Sequence, residues 1–235
     1  MWTRAELKRR AKLALNDTYW SAFGTVILAV IFQAAFNYVY NLDGLYNGDP
    51  GINPPGIPWL WRLYPLSLLF SFFVTNVLLV GLNYYFIRNH YGETQIRNLF
   101  RGFRRGYLNV VGVQFVTGFI VFLWSLLFII PGIMASYKYS MVPYLLSENP
   151  EINGKEARRL SAKMTDGQKW DIFVLDLSFL GWYLLGLICL IVGILLVPPY
   201  VLAAKAELYI YLRDYYDLKN SAGPEGSEPY VSLES

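Results

Sequence analysis

Stretches of roughly 20 apolar residues without a charge constrain this chain more than anything else in it. A helix of that length crosses a hydrocarbon core of about 30 Å with every backbone N–H and C=O satisfied internally. Six apolar segments are readable, at residues 19–40, 65–87, 109–130, 133–146, 172–197 and 199–212. Their apolar residues run on unbroken rather than recurring at the period of a half-buried helix or strand. Of the 235 residues 55% are hydrophobic and 16% charged, too few charges to clothe a water-soluble globule. The expected fold is all-α, a polytopic transmembrane helical bundle of about six spans in a single membrane domain over residues 1–216. The tail, residues 217–235, is polar, acidic and rich in Ser, Gly and Pro, and is expected to be disordered.

The fourth and sixth segments are short, reaching only about 20 Å at 1.5 Å per residue. Pro131 and Gly132 precede the fourth and Pro198 and Pro199 the sixth, with no charge in either turn. Each pair of segments reads as a tight hairpin dipped into the far side of the membrane; the alternative is one long kinked helix. Close helix approach is expected at Gly112, Gly118, Gly181, Gly186 and Gly193.

Orientation follows from the basic residues. Of the 20 lysines and arginines, all but Arg62, Lys138 and Lys205 fall before the first segment, after the second, after the fourth or after the sixth. The positive-inside rule then puts both termini in the cytoplasm. The amino terminus resembles a signal peptide in its charge, but Thr3 followed by Glu6 is a capping-box signature. Leu7, Ala11, Ala14 and Leu15 then share one face, so residues 3–16 are expected to form an uncleaved interfacial helix. Similar amphipathic helices are expected at about residues 95–106 and 154–166. The first has the stripe Ile96, Leu99, Phe100, Phe103 and Tyr107; the second is capped by Asn153 and stopped by a left-handed Gly167.

An amphipathic helix followed by an apolar pair thus occurs three times, which suggests an internal repeat. Pro131 and Pro198 are each followed seven residues later by a lysine, Lys138 and Lys205. Leu82 to Tyr91 also resembles Glu207 to Tyr216 in its Tyr, Arg, Asn or Asp and final Tyr. The loop 41–64 is rich in Gly and Pro and reads as irregular, with Trp59 and Trp61 as an interfacial aromatic belt.

Charges within apolar segments are costly and therefore informative. Lys138, Asp176, Lys205 and Glu207 each lie roughly 9 to 14 Å from the basic ends of their segments. They form a candidate intramembrane cluster, either binding an anionic headgroup, a peptide or a proton, or neutralising one another as packing elements. Arg9, Arg10, Arg101, Arg104, Arg105, Arg158, Arg159 and Lys163 form a second candidate set, for anionic-lipid contact beside apolar stripes. Ordinary positive-inside topology requires the same residues.

Enzyme signatures are wanting: there is no glycine-rich phosphate loop and no Ser or Cys with a plausible histidine partner. A single cysteine, Cys189, reads as a buried hydrophobe, and the single histidine, His90, as an interfacial residue. No metal site, no cofactor and no nucleic-acid partner is expected.

The residues Ile130 to Ile133, Ser161, Met164, Gly167, Lys169, Phe173, Ser178, Phe179, Gly181, Trp182, Pro199, Tyr200 and Tyr209 resemble the pattern of domain-of-unknown-function family 975. These are bacterial multi-pass membrane proteins common in Gram-positive organisms, themselves similar to the membrane domain of some glycerophosphodiester phosphodiesterases. The likeness is strongest from about Trp124 to Tyr211. It implies a plasma-membrane protein of unassigned activity and transfers no site residue, and the chain has no catalytic barrel. The expected role is a scaffold or binding protein engaging anionic lipid or a membrane protein partner. The alternative is a small transporter or immunity-type protein that moves or sequesters a lipid or peptide.

Overall fold

The structure, a computed structural model, describes residues 2–46, 64–104, 106–188 and 192–221. Every regular element among the described residues is helical. In chain order these are α1 (Arg4–Leu15), α2 (Tyr19–Tyr46), α3 (Tyr64–His90), a 3₁₀ turn (Ile96–Phe100) running into α4 (Arg101–Arg104), α5 (Tyr107–Leu127), α6 (Ile129–Lys138), α7 (Val142–Glu148), α8 (Gly154–Met164), α9 (Lys169–Ile188) and α10 (Val192–Ser221).

Local chemistry sets several boundaries. The Thr3 hydroxyl accepts from the Glu6 amide at 3.2 Å, and Leu7, Ala11 and Leu15, spaced four apart, bury one stripe of α1. The Asn153 side chain accepts from the Lys155 amide at 2.9 Å, and Ala157, Leu160, Ser161 and Met164 are the buried face of α8. Gly167 is left-handed at φ 73°, as its position after α8 predicts.

Elsewhere the helix ends differ from the expected ones. α2 runs to Tyr46 and α10 to Ser221, so residues 41–46 and 217–221 are helical rather than irregular. Residues 47–63, with Trp59 and Trp61, and residues 189–191 and 222–235 lie outside the described set. The first hairpin reversal comes at Phe128, in extended conformation, three residues before Pro131. Pro131 instead occupies the first turn of α6, where an amide has no helical acceptor in any case. Gly132 makes the close return possible: a Cβ there would come within 2.6 Å of the Ser125 Cα. Pro198 and Pro199 lie inside α10, which starts at Val192, rather than in a turn. An interior proline costs about 3 kcal/mol, and packing of α10 against α1, α2, α3 and α9 outweighs it. The Tyr19 hydroxyl donates to the Leu196 carbonyl at 2.9 Å, within the turn that the proline pair loosens.

The fourth expected segment, residues 133–146, is broken into α6 and α7. Pro143 has no N–H to offer the Tyr139 carbonyl, which accepts instead from Val142 at 3.1 Å. That leaves the Lys138 carbonyl open, and α8 closes it. The buried Ser161 hydroxyl donates to Lys138 O at 2.8 Å and accepts from the Met141 amide at 3.2 Å, and Thr165 donates to the same carbonyl at 3.3 Å. The amphipathic stretch 95–106 is likewise not one continuous helix. It runs as a 3₁₀ turn and a single α-turn along α3, with Leu99 fully buried, and Gly106 at φ 62° separates it from α5.

At the centre, the C-terminal halves of α3 and α10 pack with α7, and Tyr85, Leu145, Leu146, Leu208, Tyr209 and Leu212 are almost fully buried there. Tyr144 stacks on Tyr209 at 5.2 Å. Around this core α1 lies on α10, the 96–100 turn on α3, and α8 on α5, α7 and α10. Among the described residues one helix, α5, is alone long and apolar enough to cross a membrane, with 28% of its apolar window buried within the protein. α1 and residues 19–34 pass the same test together, bent by 94°. Gly112, Gly118 and Gly181 face open space, so they do not mediate helix approach. That role belongs to Gly81, where a Cβ would overlap the Leu99 main chain and sit 2.6 Å from its carbonyl carbon.

Replacing Gly81 by Ala is accordingly expected to destabilise the protein by about 1–3 kcal/mol, because backbone cannot yield as a side chain can. Gly112→Ala, in open space, is expected to be neutral or slightly stabilising. Loss of the monodisperse species after graded heating in detergent measures both.

Candidate functional site

The C-terminal half of α10 carries charge into the centre of the molecule, and three polar groupings form along it. Arg213, 5% exposed, donates through Nη1 to Glu148 and through Nη2 to the Tyr91 hydroxyl at 3.0 Å. The Tyr209 hydroxyl donates to the other Glu148 oxygen at 2.7 Å, and Asp214 accepts from Arg213 Nε at 3.2 Å. Burial alone would lower the Arg213 pKa, but Glu148 and Tyr91 hold it above its ordinary value, so the guanidinium stays charged. Charge, geometry and hydrogen bonds are all satisfied in this pair, the condition under which a buried ion pair is tolerated.

One and a half turns earlier on α10, Glu207 is 3% exposed and meets His90 Nδ1 at 2.5 Å. Its second oxygen is buried without a hydrogen-bond partner. Nearer the start of α10, Lys205 pairs with Asp176 of α9 at 3.0 Å, and the Tyr137 hydroxyl donates to the other Asp176 oxygen at 3.3 Å.

The four expected cluster residues are thus divided. Asp176 and Lys205 come together; Glu207 pairs with His90 rather than with a lysine; Lys138 sits at the end of α6 with its ammonium 5.5 Å over the Tyr139 ring and no ion pair among the described residues. Sequence reasoning missed Glu148, Tyr91, Tyr209 and Arg213 as a group. A usable signal was present: Lys205, Tyr209 and Arg213 recur every four residues and so share a helix face.

The basic residues nominated for headgroup contact differ in their freedom. Arg9 and Arg10 both reach Glu6 at 2.9 Å, and Arg9 first, then Arg10, bring the Glu6 carboxyl down to about 2. Arg101 donates to the Tyr84 hydroxyl at 2.6 Å and lies 4.1 Å over its ring. Arg158 is half-buried, while Arg104, Arg159 and Lys163 are exposed, Arg159 within 3.8 Å of Glu156. Arg105 lies outside the described residues. No group of carboxylates, histidines and cysteines among the described residues has metal-site geometry.

Residues 126–215 match the model of a family described as "Protein of unknown function (DUF975)", which bears out the resemblance. The matched stretch holds both ends of the Glu148–Arg213 and Asp176–Lys205 pairs, while α1 and the 96–104 segment lie before it. No curated protein and no solved structure matches the chain.

Removing one partner of a buried pair strands the other charge, at a cost on the order of 3–5 kcal/mol. Arg213→Met is therefore expected to lower thermal stability strongly, and adding Glu148→Leu to restore much of it. A double-mutant cycle on the apparent melting temperature in detergent checks the coupling; additive losses would mean that the two residues act independently.

Proposed function

We propose that the chain is a multi-pass membrane protein of six apolar helical segments in three repeated units, and that it serves as a scaffold or binding protein. Its basic segments engage anionic headgroups on the cytoplasmic leaflet of the bacterial plasma membrane. The observation that carries this reading is the tip of the α5–α6 hairpin. Residues 122–130 are nine consecutive exposed positions, all apolar but Ser125, and Leu126, Leu127, Phe128, Ile129 and Ile130 are each 66 to 77% exposed. A contiguous apolar surface of that kind is unfavourable in water and ordinary in hydrocarbon. Exposed Arg159 and Lys163 belong to α8, which holds the opposite end of α6, about 15 Å away at the helical rise.

The repeat is supported by the order in which elements pack. Each of α2–α3, α5–α6 and α9–α10 forms a pair. The amphipathic segment preceding two of the pairs lies on the second member of another, the 96–100 turn on α3 and α1 on α10, while α8 lies on α7, the helix that follows α6. First members follow the same circuit, with α5 on α3, α9 on α6 and α2 on α10. Matched side chains agree too, since Arg88 lies 5.8 Å over Tyr84 and Arg213 5.9 Å over Tyr209. The middle unit carries Tyr144 and Glu148 at the same four-residue spacing.

Binding is favoured over transport because Lys205 is held by Asp176 and the cavity at the α1–α2 corner is lined by neither Lys138 nor Lys205. In a Cys189→Ser background, cysteines at Arg104 and Lys163 are expected to resist a membrane-impermeant maleimide in intact cells and to react after permeabilisation. Labelling of the two from opposite faces would end the topology. Arg104→Gln combined with Arg159→Gln and Lys163→Gln is expected to weaken retention of phosphatidylglycerol severalfold per residue, as about 1 kcal/mol per surface charge implies.

A further inference from the structure

At the corner where α1 meets α2, a cavity of about 420 Å³ opens between α1, α9 and α10. Its wall is made of Leu15, Tyr19, Trp182, Leu196 and Tyr200, with the Lys12 side chain at its edge. That volume is within the range of about 300–1,000 Å³ typical of small-ligand sites. The wall is preassembled: Tyr200 meets Phe179 edge-on at 5.7 Å and Trp182 at 6.0 Å, and the Tyr19 hydroxyl is anchored on the Leu196 carbonyl.

The charge at this corner is one-sided. Lys8 and Lys12, one helical turn apart, face the aromatic wall, with Lys8 Nζ 4.7 Å over the Phe179 ring and Lys12 Nζ 6.0 Å over that of Tyr200. Neither makes an ion pair among the described residues, whereas Arg9 and Arg10 on the same helix are both committed to Glu6. Asp17, beyond the end of α1, accepts from the Asn16 amide at 3.3 Å. Burial, with Arg4 and Lys12 close by, holds the Lys8 ammonium below its ordinary pKa, so a neighbouring anion would relieve a cost that the folded protein carries. An aromatic face satisfies an ammonium only weakly, and each ammonium has three N–H donors.

We propose that this corner binds one anionic phospholipid from the surrounding bilayer, its phosphate between Lys8 and Lys12 and an acyl chain against Leu15, Trp182 and Leu196. A soluble anion would gain nothing from the apolar wall, and a neutral lipid nothing from the two lysines. The site rests on the membrane reading above and narrows it, moving the specific contact from the arginines to the lysine face of α1.

Native mass spectrometry of the full chain, released from detergent after exposure to phosphatidylglycerol or phosphatidylcholine, tests the site. The wild-type protein is expected to retain one phosphatidylglycerol with at least about tenfold preference. Lys8→Gln with Lys12→Gln removes that preference, and Lys8→Arg with Lys12→Arg keeps it, which separates charge from misfolding. Phosphatidylglycerol with brominated chains is expected to quench the fluorescence component that Trp182→Phe deletes. Equal retention of the two lipids by the wild type, or full retention by the glutamine variant, overturns the site. Loss confined to the Arg104, Arg159 and Lys163 variant overturns the corner but leaves the broader headgroup reading, whereas no lipid preference in any variant ends both.

Discussion

Arg213 is charged at any accessible pH, so burying the C-terminal half of α10 obliges the protein to bury a carboxylate with it. Glu148 is that carboxylate, and its position fixes α7. For α7 to reach α10 the chain must leave the axis of α6 after Lys138, and Pro143 enforces the departure by withholding an amide. The carbonyl so exposed has to be satisfied, which brings Ser161 of α8 and Thr165 at its C-cap against it. One buried guanidinium thus accounts for a helix break, the seat of a short helix and the docking of an amphipathic one.

What could be read in the sequence divides by the range of the interaction. The caps at Thr3 and Asn153 and the left-handed Gly167 are local, each decided within two or three residues, and all three are found where the sequence puts them. Reversals are not local. Pro131 and Pro198 look like turn residues, yet a proline is tolerated in the first turn of a helix or where packing compensates it, so Pro131 sits in α6 after a break at Phe128 and Pro198 lies inside α10. Of the stripe expected in residues 95–106, Leu99 is in the core while Ile96 is exposed, and a Cβ-free path along Gly81 lets the backbone follow α3 without forming a regular helix.

The candidate site was legible to a similar degree. Of the four charges expected to cluster, Asp176 and Lys205 do meet, because position along neighbouring helices is a one-dimensional quantity that sequence supplies. Glu207 finds His90 instead of a lysine because azimuth, not depth, decides between α3 and α9 as neighbours. Arg213 reads only as one of the basic residues after the sixth segment and Glu148 carries no signal of its own; only the departure of the chain after Lys138 brings them together.

The clasp between α8 and the open carbonyl of Lys138 also orders events in time. Ser161 is made more than twenty residues after Lys138, so as the chain emerges during synthesis α6 and α7 must wait, with a main-chain acceptor unfilled, until the helix beyond them arrives. The middle hairpin therefore matures only once α8 has been made, and its assembly proceeds by hand-over to the next segment rather than within the hairpin alone.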